Sequence, residues 1–256
     1  SGTVLKPKVT ADKDGAARAE MTEKGLASAI QAARDGKASA IVIEPSVTGK
    51  ATKVTVELPR ASVSAIGADT AADLTVRTPV GSVTLPNGAL ASAAAQAAGE
   101  TVAIAVGAVD VKALIAEQQR LVGDGAVFDI SITSGGKPIS SFDGKQITLS
   151  LPYTLKNGES AEGVAVWHLS AEGKLTRMAC AYDKATGLAT FATTHLSDYV
   201  VGYDAWTNPF TDVKAGDWFY DAVKYATQKE LFNGTSATAF SPNADGIAES
   251  IVISPQ

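Results

Sequence analysis

The chain holds one cysteine, two histidines and 6% aromatic residues among 256 positions. A single cysteine, Cys180, excludes an internal disulfide framework and any cysteine-built zinc site. The histidines, His168 and His195, form no His-x-x-x-His pair and sit beside no carboxylate cluster, so no metal is expected. Nucleophile-elbow, Walker and dinucleotide motifs are all missing, which leaves no cofactor to expect. Like charges never gather into a run. With a net charge of -5 and a pI of 5.1, nucleic acid and anionic membrane surfaces are poor partners. No apolar stretch is long enough to cross a bilayer, and the longest candidate, residues 89–98, is alanine-rich and helical, so no membrane span is expected. The N-terminus has no signal-peptide pattern, and Ser1-Gly2 reads as a remnant of processing.

What is present is a chain 45% hydrophobic and punctuated by 23 glycines. Its pattern predicts an α+β protein: a mixed α/β segment over residues 1–100, an antiparallel β-sandwich over 101–206, and a short helical module over 207–256. In the first part, residues 4–10, 40–44 and 53–58 read as strands. Residues 21–34 read as a helix, with Leu26, Ile30 and Ala33 on one face and Asp35-Gly36 as its stop. Residues 61–66 read as a helical turn, and 74–78 with 82–85 as a hairpin. From residue 101 short strands dominate, at 101–109, 127–133, 146–151, 163–169, 175–182, 188–193 and 199–203, separated by Gly- and Asn-rich turns. The carboxylate pairs Asp12/Asp14 and Glu159/Glu162 fall in polar loops and read as solvated surface.

Residues 209–242 are the most specific stretch. Asp217 is placed to cap a helix of about three turns, with Trp218, Ala222 and Ala226 on one line and Phe219 and Val223 beside it. A module this small needs a large anchor, which assigns Trp218 to its core. The polar run 233–236 then ends the helix, and Phe240 before Ser241-Pro242 reads as an apolar plug. This stretch resembles the first half of an S-layer homology repeat: Phe-x-Asp-Val, a Trp/Tyr-Ala-x-x-Ala-Val helix, a Gly-rich turn and Phe-x-Pro. There are two departures. Glu230 stands where that family ends its helix on glycine, and residues 243–249, Asn-Ala-Asp-Gly-Ile-Ala-Glu, replace a Thr-Arg-x-Glu-type helix. The resemblance implies a cell-surface location and cell-wall polysaccharide as the partner. It assigns that binding to the repeats of the full-length protein, not to this half-repeat.

The rest of the chain carries a second resemblance. Val80-Gly-Ser-Val-Thr-Leu-Pro86, Ser150-Leu-Pro-Tyr-Thr-Leu155 and Phe191-Ala-Thr-Thr-His-Leu-Ser-Asp-Tyr199 are similar to the region upstream of S-layer homology repeats in surface proteins of Gram-positive bacteria. The closing strands also resemble ZU5 and GAIN-type sandwiches. Together these imply a secreted, non-catalytic spacer beside a wall anchor, and no enzyme. Two other readings stand beside it. In the first, His195-Leu196-Ser197 is a self-cleaving tripeptide in which the Ser197 hydroxyl attacks the Leu196 carbonyl with His195 as general base. The simpler assignment of the same residues is the start of the last strand, with Leu196, Tyr199 and Val201 buried and Ser197 and Asp198 facing water. In the second, Trp206, Trp218, Phe219 and Tyr220 form a row of rings that binds carbohydrate.

Overall fold

Alternation of apolar and polar residues builds most of the molecule. A computed structural model describes residues 2–204, 206–229 and 231–241. The chain divides into two compact units, Ser1–Tyr203 and Asp204–Gln256.

The larger unit opens with β1 (Gly2–Leu5), β2 (Lys8–Thr10), β3 (Ala16–Glu20) and α1 (Glu23–Arg34). Next come β4 (Ala40–Ile43), β5 (Ser46–Thr48), β6 (Lys53–Pro59), α2 (Arg60–Asp69), β7 (Asp73–Thr78), β8 (Gly81–Leu85) and α3 (Asn87–Gln96). β9 (Thr101–Val109) leads through α4 (Ala116–Val122) to β10 (Ala126–Ser134) and the two-residue β11 (Lys137–Pro138). The unit closes with β12 (Ile147–Pro152), β13 (Val164–Leu169), β14 (Leu175–Met178), β15 (Cys180–Asp183), β16 (Leu188–Thr193) and β17 (Asp198–Tyr203).

These strands form two large sheets. One runs β1-β4-β7-β8-β12-β16-β15, and the other runs β14-β13-β17-β10-β9-β6-β3 with β11 added on β10. The inner residues of both, such as Val54, Val56 and Leu58 from β6 and Val83 and Leu85 from β8, meet in a single apolar core. α1 and α3 pack on β4, β7 and β8, α2 packs on β6 and β9, and α2 also lies along α1 and α3, so the helices bridge the two sheets. α1 shows how locally the sequence specifies an element. Thr22 caps it by accepting from Gly25 N at 3.0 Å, and Leu26, Ala29, Ile30 and Ala33 are buried at helical spacing.

The α+β class holds, but the division near residue 100 does not exist in space. β6 pairs with β9 and β8 pairs with β12, so the first hundred residues supply strands to the same two sheets as the second hundred. The early strands also make the sheets mixed, because β1/β4, β4/β7 and β3/β6 are parallel pairs. Two expected strands each break in two. Pro7 has no N–H to continue a ladder, and the stretch 4–10 becomes β1, paired with β4, and β2, paired with β5 in a small separate sheet. The stretch 175–182 becomes β14 and β15, which belong to different large sheets. Cys180 in β15 is half-buried and packs against the core.

In the smaller unit the described helix is α5 (Tyr220–Gln228). No helix among the described residues is long and apolar enough to cross a membrane.

Candidate functional site

The smaller unit is built around four buried side chains, Phe210, Val213, Val223 and Phe240, with Trp206, Phe219 and Tyr220 half-buried against them. Phe240 plugs this cluster, its ring centroid 5.2 Å from Phe210 and 5.1 Å from Phe232. Asp212 fastens the loop that carries the plug. One of its carboxylate oxygens accepts from Phe240 N at 3.0 Å and the other from Ser241 N at 2.7 Å, and these bonds hold its pKa below the ordinary value. Asn208 fixes the other side, accepting from Phe210 N at 3.0 Å and donating to the Val213 carbonyl at 2.7 Å.

Two expectations for this segment are corrected. Asp217 does not cap the helix: α5 starts at Tyr220, and the Asp217 carboxylate accepts from Lys214 N at 2.7 Å. Trp218 is not the core anchor either, since it is 82% exposed. The inward side of the helix carries buried Val223 and Gln228 with Phe219 and Ala226 half-buried, and Ala222 faces solvent. Of the four proposed sugar-binding rings, therefore, Trp218 alone is open. Trp206 and Tyr220 pack edge-on at 5.5 Å, and Phe219 meets the side of Trp218 at 5.5 Å. Glu230 and residues 243–249, where the departures from the repeat pattern fall, lie outside the described residues.

The second candidate is the His-Leu-Ser tripeptide. β13 and β17 are neighbours, with His168 opposite Tyr199, and this register brings the two histidines together. Their rings meet edge-to-face, 4.9 Å between centroids. Ser197 Oγ lies 3.0 Å from His168 Nε2, so the imidazole that reaches the Ser197 hydroxyl is His168 rather than His195. Burial, and secondarily the neighbouring His195, lowers the pKa of His168, which keeps its ring neutral and able to accept a proton.

The backbone around the Leu196–Ser197 bond is ordinary. Leu196 N donates to the Ser140 carbonyl at 3.1 Å, and the Ser197 carbonyl accepts from Ile130 N at 3.4 Å. Residues 195–198 include no cis peptide and no left-handed φ. What the tripeptide visibly does is turn a corner. Tyr199, fully buried, donates its hydroxyl to the His195 carbonyl at 2.7 Å and sits 2.9 Å from the Thr193 hydroxyl, the geometry of a tyrosine corner between successive strands. Leu196, expected to be buried, is half-buried against the core, while Ser197 is engaged with His168 and Asp198 is half-buried rather than turned to water. His168-Leu169-Ser170 repeats the tripeptide His195-Leu196-Ser197 in sequence. Their identity was the one hint that they meet, and it gives no register.

Among known families, the S-layer homology domain matches residues 209–245, the stretch that holds Phe210, Asp212, Trp218, α5 and Phe240. No curated protein matches the chain.

Proposed function

We propose, from the premise that this chain carries an S-layer homology segment and so comes from a wall-anchored surface protein, that Ser1–Tyr203 is a non-catalytic spacer and Asp204–Gln256 a wall-facing half-module. The observation that carries the reading is Trp218. An indole left 82% exposed just ahead of the helix is available to stack on a sugar face. Asp212 and Asn208 support the role by fixing the loops on which that helix rests. For the spacer, the support is architectural. Two sheets close on one core, and the last strand is tied by the Tyr199 corner, which gives a body that needs no disulfide outside a Gram-positive cell.

Cosedimentation of the full chain with purified Gram-positive cell walls tests the wall-facing role. The wild type is expected to pellet, and Trp218→Ala, which changes an exposed side chain, is expected to bind about tenfold more weakly. Equal retention of the two, or no retention of the wild type, removes Asp204–Gln256 from wall attachment. Prolonged incubation tests the spacer role. A single band of 26.2 kDa is expected, and a split between Leu196 and Ser197 would replace the spacer with a self-processing domain.

A further inference from the structure

The larger unit has a cavity of about 300 Å³ that neither the wall-facing helix nor the histidine corner uses. It lies where β13 and β17 meet the turn after α4 and the loop after β12. Three rings line it, Trp167, Tyr153 and Tyr203, together with three charged groups, Asp124, Lys156 and Glu159.

Two of the rings rest on glycine. A Cβ at Gly163 would fall 2.2 Å from the Tyr203 ring, and one at Gly202 would fall 3.3 Å from Trp167. Neither glycine has a left-handed φ, so each supplies room for a ring rather than a turn. Tyr153 is held by its hydroxyl, which donates to Glu159 Oε2 at 2.8 Å, and its pKa is pushed up to about 12, first by burial and then by Glu159, so the phenol stays neutral. The same Glu159 oxygen accepts from Lys156 N at 2.8 Å. The Tyr203 hydroxyl accepts from Ser160 N at 3.3 Å. Rings and carboxylate are thus set in place before any ligand arrives, which lowers the ordering cost of binding.

The charges narrow the ligand. Asp124 and Glu159 disfavour an anion. A cation would meet the ammonium of Lys156, which itself lies 4.0 Å from Asp124. What remains is a neutral molecule with flat apolar faces and hydroxyl edges. We infer that this cavity binds one neutral sugar ring, with Trp167 and Tyr203 stacking on its C–H faces and Glu159 and Lys156 bonding its hydroxyls. A volume at the lower limit of ligand pockets suits a single residue or a chain end rather than an extended polymer.

The test is ¹H–¹⁵N NMR of the full chain titrated with the methyl glycosides of glucose, galactose, mannose and N-acetylglucosamine, read at the three tryptophan indole signals. At least one glycoside should move the Trp167 signal and leave Trp206 and Trp218 in place. Lys156→Ala, at a side chain 61% exposed and therefore harmless to the fold, should weaken that response about fivefold. An unmoved Trp167 signal with all four sugars overturns the inference, as does an undiminished response in Lys156→Ala. Movement of Trp218 alone also overturns it, while supporting the separate reading of Asp204–Gln256.

Discussion

At the scale of single residues, Tyr199 shows how one hydroxyl fixes a chain reversal. It is fully buried, and its hydrogen bond satisfies the His195 carbonyl, one peptide bond before Leu196–Ser197. Tyr199→Phe keeps the ring and its packing against Phe191 but strips that carbonyl of a donor, so a loss of about 1–3 kcal/mol is expected in urea unfolding. A loss well under that range would mean that Thr193, whose hydroxyl donates to the same carbonyl at 3.0 Å, holds the corner unaided.

The same corner carries a pH dependence. Burial first, then His195, lowers the folded pKa of His168 from 6.5, so the unfolded chain takes up that proton earlier. The stability it contributes is present above 6.5 and is lost as pH falls through the lowered folded value. Asp198 acts in the opposite sense. Burial and then Asp129 raise its pKa from 3.8, so its contribution is present below 3.8 and is lost as pH rises through the raised value. Between these limits the two oppose each other. Asp198→Asn should therefore lose more stability than the wild type on moving from about pH 6.5 to about pH 4, and adding His168→Gln should flatten the curve. Urea midpoints at the two pH values check this, and equal slopes in all three proteins would contradict it.

At the scale of elements, legibility depended on whether a signal is local. α1 was readable because its apolar face and stop lie in one stretch of chain. β6 was readable as a strand from Val54, Val56 and Leu58, but its pairing with β9 was not, because alternation reports a face and not a neighbour. α2 runs past the turn expected at 61–66 and continues through Gly67. In the folded chain Gly67 is the point where two helices touch: a Cβ there would lie 2.6 Å from Ala91 N and 3.0 Å from its Cα. This yields a prediction whose sign is decided by magnitudes. Replacing a mid-helix glycine with alanine gains up to about 1 kcal/mol of helix propensity, while forcing a methyl into backbone costs about 1–3 kcal/mol. Gly67→Ala should thus destabilise the larger unit. Gly88→Ala, which meets only the flexible end of Lys145 at 3.2 Å, should be neutral or stabilising, and denaturation midpoints of the pair decide the matter.

At the scale of the whole molecule, the two units rest on very different cores. Among the described residues, the larger has dozens of buried apolar side chains shared by two sheets and three helices, and the smaller has Phe210, Val213, Val223 and Phe240. Reading Trp218 as an anchor was the natural expectation for so small a unit, and it failed because Phe210 and Phe240 fill the centre from loops flanking the helix. Loop packing of that kind has no periodicity from which to read it. Small cores leave little reserve stability, so the smaller unit should unfold first in urea. The indole signals separate the two events, since Trp206 and Trp218 report on the smaller unit and Trp167 on the larger. Phe210→Ala, which removes about 3–5 kcal/mol of packing from a four-residue core, should abolish the dispersed Trp206 and Trp218 signals in buffer while leaving the Trp167 transition where it was. If all three signals instead move together in both proteins, the units unfold as one body and the smaller unit has no separate stability.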